Sequence, residues 1–216
     1  IASKEGVFSS IWRNNYWGSG ESLSGPGSTL EYTQEIRIKM PIMFNEMGIK
    51  TVFDAPCGDM QWMHRVLEDG KLMYLGGDIV SELVALNQNK FANAKINFIK
   101  FDITSDTFPV ADVWLCRAVF YHLSNCDVYH ALEQFAASNI KYILTTNHVT
   151  GNGHVNEDIT TGDWRLLNLT LPPFSFPCDS LWEVNDYLTP DPKTTLTLWT
   201  REQIKATLPA LRKIYQ

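Results

Sequence analysis

Three aspartates close the first three strand-like runs of this chain: Asp54 in KTVFDA (50–55), Asp78 in LMYLGGDI (72–79) and Asp102 in INFIKFDI (96–103). The fourth run, DVWLCRAVF (112–120), carries Cys116 and Arg117. A single aspartate after a strand is ordinarily a turn former. Three in succession at one edge point to a ligand, because open parallel sheets bind ligands beyond the carboxyl ends of their strands. The first turn narrows the chemistry. A dinucleotide needs GxGxxG, whose glycines let backbone approach a pyrophosphate at a helix N-terminus. Here Asp54-Ala55-Pro56-Cys57-Gly58-Asp59 holds one glycine between two acids. Such a turn repels a phosphate and suits a cation. S-adenosylmethionine, with a sulfonium, an ammonium, a ribose diol and no phosphate, meets that requirement. Asp78 follows Asp54 by 24 positions, close to the ~20-residue interval at which an acid reaches ribose hydroxyls in nucleotide folds.

These residues need a frame. Between the strand-like runs lie helix-like segments: MQWMHRVLEDG (60–70) with Gly70 as C-cap, SELVALNQNKFAN (81–93) with Ser81 as N-cap, and NCDVYHALEQFAAS (125–138) capped by Asn125 or Asp127. A fifth run, KYILTTNHV, spans 141–149, residues 181–200 supply two more strands, and a last helix starts at Arg201. Strand alternating with helix means βαβ units and a mostly parallel sheet. The expected fold is α/β, Rossmann-like and doubly wound: seven strands with helices on both faces. One domain covers 1–216, with an N-terminal lid and helix (1–48), a cofactor-binding core (49–149), an insertion at the acceptor site (150–180) and the final strands and helix (181–216). The start at Ile1 suggests a domain cut from a longer polypeptide.

Composition removes several classes. With 216 residues, 44% of them apolar, the chain can bury one sizeable core. The net charge of -6 and the lack of a Lys/Arg block argue against a nucleic-acid partner. Four cysteines without a CxxC pair suggest reduced thiols in a cytosol-like compartment. No run approaches ~18 apolar residues, so no membrane insertion is expected. A cytoplasmic protein follows, in the host cytoplasm if the source is viral.

From about residue 50 to 149 the chain resembles the class I S-adenosylmethionine-dependent methyltransferases, with FDAPCGD standing where that family has its acidic, glycine-containing first motif. Pro56 and Cys57 occupy positions where a second glycine is common. The resemblance implies that Asp54, Ala55, Cys57 and Gly58 wrap the methionine part, that Asp78 binds the ribose with Ile79 beside the adenine, and that Asp102 and Ile103 meet the adenine edge. Arg117 and Trp17 complete the expected cofactor set. The flanking segments YWGSGESLSGPGSTLEYT (16–33), RAVFYHLSN (117–125) and DITTGDWRLLNLTLPPFSFP (158–177) are similar to small methyltransferases found near or fused to glycosyltransferases in bacterial and large-virus polysaccharide synthesis. That similarity implies a sugar hydroxyl as acceptor, deoxysugars such as rhamnose included, and glycosyltransferase domains as partners.

An alkyl hydroxyl attacks a methyl group only when a base removes its proton, and histidine is the commonest base. His122 is the first candidate, His148 the second and Asp163 the third; His64, His130 and His154 read as surface or helix-face residues. Without a base, the same pocket suits an amine. Trp164, Arg165 and Asn168 are expected at the acceptor, or else anchor a long loop. Trp12, Tyr16 and Trp17, set among glycines, read as a mobile lid or as aromatics packed on the core. Arg37 is a candidate partner of the cofactor carboxylate. Pro172-Pro173-Phe174 resembles the PPF or PPY element of nucleic-acid methyltransferases, but it follows the fifth strand and is preceded by Leu171, which argues against that role. A metal-assisted reaction needs clustered carboxylates after strand four; Cys116, Arg117 and Ala118 stand there, so no metal is expected. Two rivals belong to other classes: a nicotinamide oxidoreductase, disfavoured by the absent GxGxxG, and a non-catalytic cofactor-binding module serving a glycosyltransferase.

Overall fold

The computed structural model describes residues 3–189 and 191–216. Seven strands form one sheet in the order β3-β2-β1-β4-β5-β7-β6. They are β1 (Thr51–Asp54), β2 (Met73–Asp78), β3 (Ile96–Lys100), β4 (Val113–Cys116), β5 (Tyr142–His148), β6 (Trp182–Asn185) and β7 (Thr194–Thr200). The first five are parallel, and β7 runs antiparallel to both its neighbours. Strand order reverses between β1 and β4, the switch point at which such sheets open a crevice.

A parallel sheet covered on both faces buries every strand residue, and all four residues of β4 are buried. Alternation divides them between two cores. Phe53, Trp114 and Ile143 pack with Val128, Leu132 and Leu208 from α5 (Asn125–Ala137) and α6 (Arg201–Tyr215). Val52, Leu115 and Leu144 pack with Met40 and Phe44 from α2 (Gln34–Glu46) and with Met63 from α3 (Met63–Val66). Burying a tryptophan N–H requires an acceptor; Trp114 Nε1 donates to the Ala55 carbonyl at 2.8 Å. Register aligns the acids. Asp54 pairs with Gly76 and Asp78 with Lys100, so each aspartate lies two residues beyond its neighbour's partner. An even step keeps side chains on one face.

Several boundaries differ from expectation for local reasons. The helix expected over 60–70 shrinks to the four residues of α3, because Met60 has φ +63° and Asp59 accepts from the Gln61 N–H in a turn. The fourth strand stops at Cys116; Ala118 has φ +60° and Phe120–His122 form a 3₁₀ turn. The third stops at Lys100, where Asp102 and Asp106 close a turn. Ser124 rather than Asn125 or Asp127 caps α5, accepting from the Asp127 N–H. Ser81 is the first residue of α4 (Ser81–Phe91), not its cap, and its hydroxyl donates to Glu5. A helix not anticipated, α1 (Lys4–Arg13), starts at Ser3, whose side chain accepts from the Gly6 N–H. Among the described residues no helix is long and apolar enough to cross a membrane.

Candidate active site

The turn after β1 is held by the protein itself. Cys57 N–H donates to the Gly77 carbonyl (2.9 Å), Gly58 N–H to Asp78 Oδ2 (3.1 Å) and Asp59 N–H to Ser24 Oγ (3.0 Å). The Asp59 carboxylate accepts from the Ser22 hydroxyl (2.9 Å) and the Leu23 N–H (2.8 Å). Three successive N–H groups are thus engaged, and the turn is no phosphate cradle. Gly58 has φ +58°, and a Cβ there would lie 2.4 Å from Ser24 Oγ. Its missing side chain admits the N-terminal loop. Asp59, read from the sequence as the second acid of this turn, lines the cavity above it and also fastens that loop.

Above this turn a cavity of about 1070 Å³, counted to its open mouth, runs along the ends of β1, β2 and β4. Asp54, Asp78 and Asp102 all line it, with Cys57, Gly58 and the pair Ile79 and Ile103. Ala55 does not; it is fully buried in the core behind the turn. Burial pushes Asp54 up to about 7, against the pull of the Tyr74 hydroxyl that donates to it at 2.7 Å. Burial raises Asp78 to about 6, opposed by N–H groups of Val80 and Gly58. Burial makes both carboxyls costly to ionise, and a bound cation offsets that cost. Asp102 accepts from the N–H and hydroxyl of Thr104 (2.9 and 2.7 Å). The Cys57 thiol is raised well above its ordinary value, chiefly by burial, and so stays protonated and unreactive.

Helix α1 and the loop after it roof this cavity through Phe8, Trp12, Trp17, Ser24 and Ser28. Lys4 donates to Thr104 Oγ1 and Asp127 (3.3 Å) and lies 3.7 Å from Asp102. Glu5 accepts from Lys100 (2.7 Å), and Arg13 donates to Glu82 (2.8 Å). Tyr16, expected beside the two tryptophans, points away and is 69% exposed. Arg37 is tied to Thr33 and to the Leu30 carbonyl, and it does not line the cavity.

The two leading histidines differ in which nitrogen is free. His122 lines the cavity, and the Trp17 ring lies tilted against it at 5.2 Å between centroids. Its Nδ1 stands 2.8 Å from the Asp163 carbonyl. A carbonyl only accepts, so Nδ1 carries the proton and Nε2 keeps the lone pair. Burial lowers its pKa and favours this neutral form. In His148, Nδ1 accepts the Leu167 N–H at 3.0 Å, which places the proton on Nε2. Burial depresses its pKa to about 4. His122 thus presents a lone pair on Nε2 and His148 an N–H. The Asp163 carboxylate is exposed and lines neither cavity; its main chain orients His122. Of the remaining histidines, His64 pairs with the Met60 carbonyl and His154 with Asn156; His130 lines neither cavity.

A second cavity of about 460 Å³ adjoins the first, sharing Arg117 and Ala118. Tyr32, Tyr121, His148, Trp164 and Asp186 also line it. Trp164, 54% exposed, stands at its edge. Arg165 and Asn168 do not. Arg165 is buried against the carbonyls of Glu157 and Leu123, and Asn168 is bonded to Thr150 and Thr170. Both anchor the 150–180 segment. Arg117 and Asp186 form an ion pair, Nε to Oδ2 and Nη2 to Oδ1, both at 2.8 Å. Sequence reasoning missed Asp186, Tyr32, Tyr121 and Lys4; only the fold brings them to the site. Among the described residues no group of three or more His, Cys, Asp or Glu is placed to hold a metal ion.

No family model and no curated protein matches the sequence. Solved structures do match the fold. Human N-acetylserotonin methyltransferase, in complex with S-adenosylmethionine, superposes with a TM-score of 0.59 at 13% identity, over 91% of this chain and 59% of that one. The magnesium protoporphyrin IX methyltransferase of Synechocystis PCC 6803, with bound S-adenosylhomocysteine, gives 0.61 at 12% identity, over 89% and 93%. An O-methyltransferase of neocarzinostatin biosynthesis gives 0.55 at 11%, over 76% and 56%. The chain therefore spans little more than half the length of two of these three proteins. Identity this low carries the architecture alone: the chain has the seven-stranded, Rossmann-like fold of the S-adenosylmethionine-dependent methyltransferases.

Proposed function

We propose that the protein transfers a methyl group from S-adenosylmethionine to a hydroxyl of a neutral, hydroxyl-rich acceptor, a sugar unit of a glycan. The observation that carries this reading is His122, a neutral imidazole with its Nε2 lone pair free, in a cavity lined by four aspartates and no phosphate cradle. The lining residues fit the cofactor: Asp54 would hold the ammonium, Asp78 the ribose hydroxyls, and Ile79 and Ile103 would flank the adenine. When bound, the cofactor supplies an electrophilic methyl on a sulfonium that leaves as a thioether. The chain's part is to hold the reactants in line, to exclude water beneath α1 and Trp17, and to take the hydroxyl proton on His122 Nε2.

The second cavity supports the acceptor class. Its two charges, Arg117 and Asp186, neutralise each other. Beside that pair it offers a ligand the Tyr32 and Tyr121 hydroxyls, the His148 Nε2–H and the face of Trp164. Aromatic faces and neutral donors suit a sugar ring. Segments 16–33, 117–125 and 158–177 add the likeness to methyltransferases of polysaccharide synthesis, and with it a cytoplasmic place beside or fused to glycosyltransferase domains. S-adenosylhomocysteine release, measured across monosaccharides, short rhamnosides, phenols and amines, tests the reading. Turnover with the sugars supports it, whereas turnover with amines alone overturns the hydroxyl assignment.

A further inference from the structure

Arg117 is 7% exposed and Asp186 3% exposed. A buried ion pair is a poor source of stability, because desolvation of both charges cancels most of their attraction. Its retention between two cavities calls for another use. Three of the five guanidinium N–H groups are engaged: Nε and one on Nη2 with Asp186, the other on Nη2 with the Gly27 carbonyl at 2.6 Å. The rings of Trp62 and Tyr32 lie 5.2 and 5.9 Å from its centre. Among the described residues, nothing accepts from Nη1. It keeps two donors, and Arg117 lines the first cavity.

The cofactor assigned above carries one anionic group, the α-carboxylate of its methionine part, and that group needs a partner. The turn after β1 supplies none, since its N–H groups are engaged. Lys4, the other cation lining the cavity, is held by Thr104 and Asp127 beside Asp102. Arg37 lies outside it. Arg117 is close enough to Asp54 for its charge to pull on that carboxyl. An acid and a guanidinium side by side match the ammonium and carboxylate of a zwitterion.

Resting on the cofactor reading, we propose that Arg117 Nη1 binds the α-carboxylate of S-adenosylmethionine, and that Asp186 is the positioning residue that holds the guanidinium at this angle. The pair then couples the cavities: the carboxylate sits on one edge of Arg117 while Asp186 and the acceptor lie at the other.

Calorimetry with S-adenosylmethionine and its decarboxylated analogue tests this, because the analogue keeps both positive charges and lacks only the carboxylate. The wild-type protein should bind the analogue about 10- to 100-fold more weakly, the worth of a charge-assisted hydrogen bond. Asp186→Asn should lose affinity for S-adenosylmethionine but not for the analogue, and Asp186→Glu should restore part of it. The double variant Arg117→Met/Asp186→Leu removes the pair without leaving a lone buried charge, and it should bind both ligands alike. Equal affinity of the wild type for both ligands overturns the carboxylate site, whatever the variants do. Equal losses for both ligands in Asp186→Asn make the pair merely structural. Failure of the wild type to bind either ligand overturns the cofactor reading itself, and this one with it.

Discussion

Asp54→Asn should stabilise the empty protein while weakening its ligand. The Asp54 carboxyl is raised from about 3.8 to about 7, mainly by burial. Below pH 4 it is protonated in folded and unfolded chains alike and has no effect on stability. Between pH 4 and 7 the unfolded chain ionises while the fold retains the proton, so stability falls as pH rises. Above pH 7 the deficit is constant. Three units at 1.36 kcal/mol each make it up to about 4 kcal/mol. Asparagine does not titrate, and it still accepts from the Tyr74 hydroxyl. The gain in urea-unfolding free energy should therefore be near zero at pH 4 and should grow to its full size at pH 8. In the same variant, affinity for S-adenosylmethionine should fall about 10- to 100-fold, as a charge-assisted hydrogen bond is lost. A gain equal at every pH, or a loss of stability at pH 8, would refute the reasoning, because Asp54 would then be ionised and satisfied in the empty cavity.

Two further outcomes are expected. His122→Ala should lower kcat by about 10²- to 10⁴-fold with unchanged affinity for S-adenosylhomocysteine, and the acid limb of wild-type kcat should lie below the ordinary histidine value of 6.5, since burial lowers this pKa. Near-normal turnover in that variant would place the base elsewhere. Helix α1 is fastened by ion pairs at the surface, Glu5 with Lys100 and Arg13 with Glu82, and salt screens such pairs. Its amides should exchange faster at 1 M than at 0.05 M salt and slow when S-adenosylhomocysteine binds; exchange indifferent to the ligand would contradict a roof that closes over the cofactor.

The acid series was readable because strand ends, a local property of sequence, determine where Asp54, Asp78 and Asp102 stand; the register that aligns them appears only in the paired sheet. Ala55 was misplaced because spacing says that a turn exists but not which of its atoms face inward. Ala55 turns into the core, while Asp59 lines the cavity and also holds Ser22. The roof was only partly visible. Serines and a glycine dilute the apolar spacing of residues 4–13, and the contacts that hold α1 come from Thr104, Asp127, Lys100 and Glu82. Position after strands four and five ranks His122 ahead of His148, but nothing in the sequence shows their protonation. Their tautomers are set by the Asp163 carbonyl and the Leu167 N–H, 41 and 19 residues away. Asp186, in the connection between β6 and β7, becomes a site residue only because the sheet returns it beside Arg117.

The central claim is that the cavity over β1, β2 and β4 takes a cationic, phosphate-free nucleoside. Calorimetric titration of the protein at pH 8 with S-adenosylmethionine, S-adenosylhomocysteine and NAD tests it most directly. The account predicts one site for each of the first two, with a dissociation constant on the order of 1 μM to 1 mM, the usual range for enzyme ligands, and no binding of NAD. Binding of NAD without S-adenosylmethionine would contradict it.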